Sequence, residues 1–320
     1  MWYTGDEGSR DVARQSKRQN LSACPGALLL CGLIRGELAA TTADALAHGG
    51  AGTIIFTGRS QKELQQVIDH IHRKHHNTQI LFVPADTACL SSVYVAATSI
   101  KRLGLPIDGI LGFPTVKAAP WELTTDGIEL HFQKNYLCYF LLVNKLLSVM
   151  SPKSRVIMMT TMVKQEASAP KWQDINFSNG ETYHPLDAYV QAMFANIMFT
   201  KSLAERFDHD RIAAFSTNPG NVKHNVLSYV TLEDVITWLQ QKEEAGEEVP
   251  IALQKSPQSL AQGSAGVLRA LLDPDLEEQS GAFLDNNQVV ELPKMDLPAG
   301  AGSAAALWKL SEGYVATIKA

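Results

Sequence analysis

Short runs of apolar residues recur along the chain, and stretches with helical spacing lie between them. Each run is four or five residues long and rich in β-branched or bulky side chains, which is typical of a buried strand. Continuous apolar runs without polar alternation favour parallel strands that are covered on both faces. Six runs have this character: Ala27–Cys31, Thr53–Thr57, Ile80–Val83, Ile107–Leu111, Arg155–Met159 and Ile212–Ser216.

Helices are predicted between these strands. The stretch between the second and third runs repeats apolar residues at i, i+3, i+4 and i+7, at Leu64, Val67, Ile68 and Ile71, which gives one apolar helix face. Strands that alternate with helices predict an α/β fold, a Rossmann-like doubly wound parallel sheet with three layers. Further helix candidates are Leu38–His48, Leu130–Met150, Tyr189–Phe207 and a helix that begins within Gly266–Leu272.

The stretch from Asn225 to Pro257 interrupts this alternation just after the sixth predicted strand. It has helical spacing over Leu232–Leu239, followed by a charged segment, QKEEAGEEVP. Ligands of doubly wound sheets bind beyond the carboxyl ends of the strands, so residues 225–257 are predicted to form a helical lid over a substrate. Residues 1–22 are polar and are predicted to form a flexible tail, which leaves residues 23–320 as a single domain.

Composition and charge are those of a soluble globular protein. Of the 320 residues, 45% are hydrophobic and 19% are charged, and the formal net charge is −5. No basic segment is interleaved with aromatic residues, so a nucleic-acid partner is not expected. The chain has no run of 18 apolar residues, and its polar N-terminal segment lacks the apolar core of a signal peptide. A cytoplasmic location is therefore expected.

The cysteines and histidines do not form a recognisable metal motif. The four cysteines lie far apart without CxxC spacing, which favours a reducing compartment. His70, His72, His75 and His76 have helical spacings that suit zinc, but they lie on a charged helix end without a carboxylate or cysteine beside the pattern. No metal cofactor is predicted.

Eight short motifs follow one another at the ends of the predicted strands and in the helices between them. They are a glycine turn (CGLIRGEL), a basic residue after the second strand (TGRS), an acid after the third (ADTA), an Asn in a long helix (FQKNYLCYFLLVNKLL), a hydroxyl pair (MMTTM), a helix led by Tyr (AYVQAMFANIMFTKSLAERF), a Pro-Gly turn (STNPGNVKH) and a closing LWKLSEGYV. In this order they resemble the short-chain dehydrogenase/reductase family, in particular its retinol-dehydrogenase-like members, over roughly residues 25–315. The resemblance implies a dinucleotide-binding Rossmann domain and a homodimer formed through the helices that bear Asn135 and Tyr189.

The glycine turn departs from the family pattern TGxxxGxG. Gly32 and Gly36 match its first two glycines, which in the family let the backbone approach a pyrophosphate resting on a helix N-terminus. Leu38 replaces the third glycine and is expected to obstruct the close packing of helix against strand. Glu37 places an anion next to where the phosphates would lie. The turn is therefore a weakened version of the family's phosphate site.

Two arginines indicate which dinucleotide the resemblance implies. Arg35 and Arg59 fall where family members hold an adenosine 2′-phosphate through bidentate hydrogen bonds, so a bound cofactor is predicted to be NADP(H) rather than NAD(H). The alternative is that both are solvated surface charges. Asp86 matches the family's adenine-binding acid, or else it is an ordinary turn or helix-capping residue. Pro114 lies in GFPT, where the family has NNAG, and predicts a different backbone turn because it lacks an N–H.

The family's catalytic Asn, Ser, Tyr and Lys match Asn135, Thr161, Tyr189 and Met193. By this resemblance Asn135 organises water, Thr161 hydrogen-bonds a carbonyl, and Tyr189 gives or takes a proton at the reacting oxygen. Met193 is the departure, because a thioether carries no charge and cannot donate to a ribose hydroxyl. An unassisted Tyr has a pKa of about 10, so Tyr189 is expected to act as a proton or hydrogen-bond donor rather than as a base. His224 replaces the family's Thr after the Pro-Gly turn and is either a new acid/base partner of Tyr189 or an exposed loop residue.

Three functions are compatible with these residues. The first is an NADP(H)-dependent ketone reductase or alcohol dehydrogenase that tolerates Met193. The second is a non-redox cyclase, isomerase or dehydratase in which Tyr189 and Thr161 donate to a substrate oxygen, His224 moves a proton and Asn135 supports them. The third is a non-catalytic binder. The departures surround the cofactor positions while three catalytic matches remain, so the second is the leading prediction. It implies an apolar substrate of secondary metabolism, with NADP(H) or no cofactor.

Overall fold

The structure is a computed structural model that describes residues 26–32, 37–161, 170–222, 231–246, 258–291 and 303–318. Its strands form one sheet in the order β3-β2-β1-β4-β5-β6-β7-β8. The first seven are parallel, and β8 pairs antiparallel with β7. The bounds are β1 Ala27–Cys31, β2 Thr53–Gly58, β3 Gln79–Pro84, β4 Ile107–Gly112, β5 Met150–Met159, β6 Ile212–Asn218, β7 Phe283–Asp285 and β8 Gln288–Val290.

Helices cover both faces of this sheet. Two helical stretches, α4 and α5, are joined by a π-helical turn at Gln133–Leu137. The bounds are α1 Leu38–Gly49, α2 Gln61–Lys74, α3 Leu90–Arg102, α4 Leu130–Phe132, α5 Cys138–Leu146, α6 Pro185–Arg206, α7 Leu232–Glu244, α8 Leu260–Leu272 and α9 Ala304–Val315. Buried residues of α1, α2 and α8 share one hydrophobic cluster, and those of α3, α5, α6 and α9 share the other.

The first strand explains why the sheet is covered on both faces. Leu28 and Leu30 pack into the cluster of α1, α2 and α8, whereas Leu29 and Cys31 pack into the cluster on the opposite face. Successive side chains of a strand point to opposite faces, so an uninterrupted apolar strand needs helices on both. Each such buried leucine stabilises the fold by about 1.5–3 kcal/mol. The predicted doubly wound α/β sheet with three layers is confirmed.

Three predicted helix boundaries are wrong. The helix predicted over Tyr189–Phe207 begins earlier, at Pro185, where His184 caps it. The helix predicted over 130–150 contains the π-helical turn and gives way to β5 at Met150, since the polar Ser151–Ser154 stretch joins the sheet as the start of that strand. The helix predicted to begin within Gly266–Leu272 begins at Leu260, where Ser259 and Gln262 form a capping box. The short strands β7 and β8 and the helix α3 were not predicted.

The closing LWKLSEGYV motif lies in α9, which packs beside the helices of the predicted site. The Tyr136 hydroxyl and the Ser311 hydroxyl are 2.6 Å apart, and the rings of Phe140 and Trp308 meet edge to face with centroids 4.9 Å apart. Such aromatic contacts add to the free energy of ordinary apolar burial. These contacts fix α9 against the π-helical turn and α5.

Candidate active site

The carboxyl ends of the central strands share one edge of the sheet, and the order of connection reverses there between β1 and β4. Crevices at such switch points are the usual ligand sites of doubly wound sheets. Four segments with predicted site residues reach this edge: Gly32 after β1, residues 113–119 after β4, Thr160 and Thr161 after β5, and the N-terminal part of α6.

Gly32 begins the turn after β1 and is held close to the turn after β4. Its φ is 84°, and a Cβ added there would lie 1.9 Å from the carbonyl oxygen of Phe113. The Phe113 N–H donates to the carbonyl of Cys31 at 2.9 Å, and the Tyr139 hydroxyl donates to the Phe113 carbonyl at 2.8 Å. Positive φ and the close approach both require glycine here.

Asn135 lies in the π-helical turn and holds the segment after β4. Its Oδ1 accepts from the N–H groups of Thr115 at 3.2 Å and Val116 at 3.1 Å, and its Nδ2 donates to the Val116 carbonyl at 2.7 Å. Its own carbonyl accepts from Asn196 Nδ2 at 3.0 Å. These bonds anchor the turn after β4 at Thr115 and Val116, directly after Pro114, which has no N–H of its own. The structure thus gives Asn135 a clamping role, and its role in organising water stays a prediction.

The two hydroxyls after β5 have different environments. Thr160 is buried, and its hydroxyl donates to the Met193 carbonyl at 2.8 Å. Thr161 is half-buried, and within the described residues its side chain makes no hydrogen bond. Of the pair, Thr160 is therefore engaged by the backbone of α6, and the role of Thr161 toward a substrate stays a prediction.

Tyr189 lies in the second turn of α6 at the same edge. The helix begins at Pro185, and the His184 ring accepts from the N–H of Leu186 at 3.3 Å to cap it. The Tyr189 ring meets the His131 ring edge to face at 6.3 Å. Burial, and then the negative charge of Glu37, raise the pKa of Tyr189 to about 12. The phenol is therefore protonated throughout the neutral range.

Met193 lies one helical turn beyond Tyr189 and is 2% exposed. Its side chain belongs to the hydrophobic cluster of α3, α5, α6 and α9. Its carbonyl, not its side chain, faces the end of β5 through the bond from Thr160. Position 193 therefore contributes packing and no charge to the site.

An ion pair lies at this edge that the sequence analysis did not identify. The Lys117 ammonium, on the segment after β4, is 3.7 Å from the Glu37 carboxylate, and the two side chains are 15% and 25% exposed. Burial lowers the pKa of Lys117, and the charge of Glu37 opposes that effect. The pair places both a cation and an anion next to the glycine turn.

A second, fully buried pair supports the same segment. His131 Nδ1 lies 2.7 Å from Glu129 Oε1, and His131 Nε2 accepts from the N–H of Ala119 at 3.1 Å. Because a backbone N–H can only donate, Nε2 carries no proton and Nδ1–H donates to the carboxylate. Glu129 also accepts from the N–H groups of His131 and Phe132, so it caps α4. His131 is thus a structural residue whose two ring nitrogens both have partners.

Weak sequence signals mark these four residues. Glu129 and His131 stand two apart at a predicted helix start, and Lys117 is an isolated charge in the apolar run VKAAP. The partner of Lys117 could not be identified from the sequence, because Glu37 lies on a segment that meets it only in the folded chain. Glu129 and His131 are neighbours, but the segment that His131 holds, at Ala119, is likewise brought to it only by folding.

Comparisons with known proteins agree with this architecture. The KR domain family matches residues 26–119. The WW domain-containing oxidoreductase of Drosophila melanogaster is 27% identical over 288 residues, which cover 87% of this chain and 65% of the relative, so the chain spans about two thirds of that protein. Mouse retinol dehydrogenase 14 is 26% identical over 255 residues, covering 75% of this chain and 69% of the relative. These similarities support the predicted resemblance to the short-chain dehydrogenase/reductase family.

Two solved structures show the same fold. An uncharacterized protein from Mycobacterium paratuberculosis superimposes with a TM-score of 0.65 at 23% identity, covering 94% of this chain and 98% of the other. The short-chain dehydrogenase/reductase from Serratia marcescens gives a TM-score of 0.57 at 17% identity, covering 81% and 95%. The relatives named above are a dehydrogenase and an oxidoreductase, so they favour the first of the three predicted functions over the non-redox one.

The structure describes some of the residues that were predicted to hold the adenosine half of a dinucleotide cofactor. Arg59 is exposed immediately after β2, and its contact with a 2′-phosphate stays a prediction. Asp86 lies after β3, and its Oδ1 accepts from the N–H of Ala88 at 2.9 Å, which is the turn-stabilising alternative. Arg35 and Gly36 lie outside the described residues.

Leu38 does not obstruct helix packing, contrary to expectation. It is 4% exposed and belongs to the cluster of α1, α2 and α8. Gly263 of α8 makes room for it, because a Cβ at Gly263 would lie 3.3 Å from a Leu38 methyl and 2.4 Å from Val222. The larger side chain at Leu38 is thus accommodated by the missing side chain at Gly263 on the facing helix α8.

Part of the predicted lid is described as Thr231–Gly246, which contains α7. This helix docks on the N-terminal end of α6. Trp238 Nε1 donates to Asp187 Oδ1 at 3.2 Å, Lys242 pairs with the same oxygen at 3.1 Å, and the Trp238 ring stacks on His184 at 6.4 Å. His224, predicted as an acid/base partner, lies outside the described residues.

The histidines of α2 bind a carboxylate in the described structure. His70 Nε2 and His75 Nε2 lie 3.0 Å and 3.2 Å from Asp44 Oδ1 on α1. Across the described ranges, no group of three or more His, Cys, Asp or Glu residues is arranged to hold a metal ion. In the same residues, no helix combines the length and apolar character needed to cross a membrane.

Proposed function

We propose that this protein is an NADP(H)-dependent oxidoreductase that reduces the carbonyl group of an apolar small molecule. The observation that carries the proposal is the position of Tyr189 near the start of α6, at the edge of the sheet where β5 ends and Thr161 follows it. The oxidoreductase and retinol dehydrogenase names of its relatives support the same reaction class.

The residues present fit the adenosine half of the cofactor. Gly32 has the positive φ of a turn that only glycine tolerates well, and the exposed guanidinium of Arg59 suits a 2′-phosphate better than a ribose hydroxyl. Bound NADPH would supply the hydride. At the position where the family resemblance implies a lysine, this chain has Met193, which is buried in the core.

Tyr189 is assigned the proton-donating step. As hydride reaches the carbonyl carbon, the oxygen gains negative charge and takes the phenol proton, which leaves the alcohol and a phenolate that solvent reprotonates. A phenol with a pKa of about 12 holds its proton at neutral pH, so it is a donor in the reductive direction and a scarce base in the oxidative one. Reduction is therefore the assigned direction.

Thr161 and Asn135 complete the site in different ways. Thr161 donates a second hydrogen bond to the substrate oxygen, which lowers the barrier where charge develops. Asn135 acts through the backbone, because its amide fixes Thr115 and Val116 at the cofactor side of the crevice. An apolar substrate is favoured by the similarity to mouse retinol dehydrogenase 14.

A non-redox acid/base enzyme is the second candidate. The observation that favours it is the combination of an uncharged residue at position 193 with the Glu37–Lys117 ion pair beside the glycine turn. In that case Tyr189 and Thr161 would orient and protonate a substrate oxygen without hydride transfer.

One titration distinguishes the two candidates. NADPH and NADH are added to the purified protein while the fluorescence of its five tryptophans is followed. We expect saturable binding of NADPH, weaker binding of NADH, and loss of NADPH absorbance when apolar ketones and aldehydes are added. Tyr189→Phe should keep NADPH binding and lose turnover by about 100-fold or more, whereas Tyr94→Phe on α3 should match the wild type. No binding at millimolar NADPH would overturn the oxidoreductase proposal and leave the non-redox enzyme.

A further inference from the structure

An ion pair spans the crevice between two neighbouring strand ends. The chain continues from β1 to β2 on one side of this crevice and from β4 to β5 on the other. At the base, the Phe113 N–H donates to the Cys31 carbonyl at 2.9 Å. Further along the two turns, the Glu37 carboxylate before α1 lies 3.7 Å from the Lys117 ammonium after β4. The pair therefore bridges the two sides of the crevice.

The bridge lies where a doubly wound sheet receives the phosphates of its ligand. Such ligands bind at the switch point beyond the strand ends, with their phosphates at the N-terminus of the helix that follows the first strand. Glu37 is the residue directly before that helix, α1, yet its side chain makes no capping hydrogen bond there. Its carboxylate is directed across the crevice to Lys117 instead. An anion of the chain itself thus lies in a place that suits an anion of a ligand.

The backbone that carries the ammonium is fixed on both sides of Lys117. On the N-terminal side, Val116 exchanges hydrogen bonds with the Asn135 amide at 3.1 Å and 2.7 Å. On the C-terminal side, the N–H of Ala119 donates to His131 at 3.1 Å. A backbone held at positions 116 and 119 leaves little freedom at the position between them. The ammonium is therefore kept on the β4 side of the crevice.

The carboxylate of Glu37 can leave this pair without a change in the backbone. The Glu37 carbonyl accepts the first hydrogen bond of α1, from the Thr41 N–H at 3.2 Å, so position 37 is held by the helix. Its side chain is 25% exposed, and a change of rotamer returns the carboxylate to water. Partly exposed ion pairs are weak, whereas hydrogen bonds from an ammonium to a phosphate are charge-assisted. A phosphate that enters the crevice is therefore the stronger partner for Lys117.

We propose that Glu37 is a built-in competitor for the Lys117 ammonium, which a diphosphate group takes over when a ligand binds in the crevice. In the unliganded protein the carboxylate neutralises the cation. With a diphosphate in the crevice, Lys117 donates to a phosphate oxygen and the Glu37 carboxylate turns to solvent. The competition lowers the affinity for any ligand that carries a diphosphate, and it makes Lys117 a binding residue. For a nicotinamide dinucleotide, this inference rests on the proposed function.

The test measures binding and needs no turnover. The wild type, Glu37→Gln, Lys117→Gln and the double variant are titrated with NADPH, followed by tryptophan fluorescence, and with inorganic pyrophosphate, followed by calorimetry. We expect Glu37→Gln to bind both ligands about tenfold more tightly and Lys117→Gln about tenfold more weakly, with the double variant between them. A gain of affinity in Glu37→Gln cannot come from a damaged fold, and circular dichroism establishes that Lys117→Gln is folded.

Two further variants control for the change in net charge. Glu205→Gln and Lys101→Gln alter exposed residues near the C-terminal ends of α6 and α3. These helices run back from the carboxyl ends of the strands, so both residues lie toward the opposite edge of the sheet. Both variants should bind NADPH and pyrophosphate as the wild type does.

The expected order of affinities with either ligand supports the competition. Unchanged or weaker binding of both ligands in Glu37→Gln, or unchanged binding of both in Lys117→Gln, would overturn it. If NADPH binds the wild type and the variants equally, and pyrophosphate does the same, the oxidoreductase proposal stands and the competition fails. If pyrophosphate follows the expected order while NADPH binds none of the four proteins, the competition stands and the proposed function fails. Binding of neither ligand to any of them would overturn both.

Discussion

The Thr160 hydroxyl donates a hydrogen bond of 2.8 Å to the carbonyl of Met193. This bond ties the end of β5 to the helical turn after Tyr189, so the backbone at position 193 belongs to the site while its side chain belongs to the core. The arrangement explains how the chain keeps the position of Tyr189 with an uncharged residue at 193. The backbone that carries the three residues matched to the family's catalytic set, Asn135, Thr161 and Tyr189, therefore does not depend on a charged side chain at position 193.

Met193→Lys is expected to destabilise the protein rather than improve its activity. The side chain at 193 is 2% exposed among apolar neighbours, and an unpaired ammonium there would lower the free energy of unfolding by about 3 kcal/mol. Met193→Leu, which conserves volume, should lower it by less than about 1.5 kcal/mol. Urea unfolding followed by circular dichroism measures both. A lysine variant as stable as the wild type would show that the new side chain reaches the site instead of the core.

Gly263→Ala is expected to disturb the packing of α8 against the glycine turn. The added Cβ would lie 2.4 Å from a Val222 methyl and 3.3 Å from a Leu38 methyl, and overpacking of this kind lowers the free energy of unfolding by about 1–3 kcal/mol. Gly313→Ala in α9 is the control, because its Cβ would meet no atom within 4 Å. The Gly313→Ala change should raise the free energy of unfolding by about 0.5–1 kcal/mol. Equal effects at the two glycines would contradict the fit of Leu38 against α8.

The two directions of the proposed reaction should depend on pH in opposite ways. Reduction uses the Tyr189 phenol, and because burial and Glu37 raise its pKa to about 12, the reduction rate should stay flat from pH 6 to 9. Oxidation uses the phenolate, whose fraction grows tenfold per pH unit below the pKa, so its rate should rise throughout that range. Initial rates in both directions measure this. An oxidation rate that levels off near pH 7 would mean that another group is the base.

Arg59→Ser is expected to reduce the preference for NADPH over NADH by about tenfold, because one charge-assisted contact to a 2′-phosphate is lost. The exposed position makes a change in stability negligible. Fluorescence titration of the variant with both dinucleotides measures the ratio of the two dissociation constants. Arg102→Ser, an exposed arginine at the end of α3, is the control and should leave the ratio unchanged. An unchanged ratio in Arg59→Ser would mean that Arg59 is a solvated surface charge.

The pattern of apolar positions was enough to predict the six central strands, several of the helices beside them and the doubly wound sheet, because burial on both faces leaves a continuous signature in each strand. The motif order likewise predicted that Tyr189, Thr161 and Asn135 belong to one site. Strands β7 and β8 were not predicted, because segments of three residues are too short to show a hydrophobic period. The π-helical turn at Asn135 was not predicted, because the hydrogen bonds of Asn135 go to Thr115 and Val116, on a segment that is distant in the sequence.

Tertiary structure alone decided how the chain accommodates its departures from the family pattern. Leu38 looked obstructive in the sequence, and Gly263, more than two hundred residues later, makes room for it. Glu37 was expected to place an anion next to the phosphate positions, and in the folded chain it pairs with Lys117 on the segment after β4. Sequence fixes which residue types are present and the local periodicity they create, whereas the pairing of distant charges and volumes depends on which strand ends the folded sheet brings together.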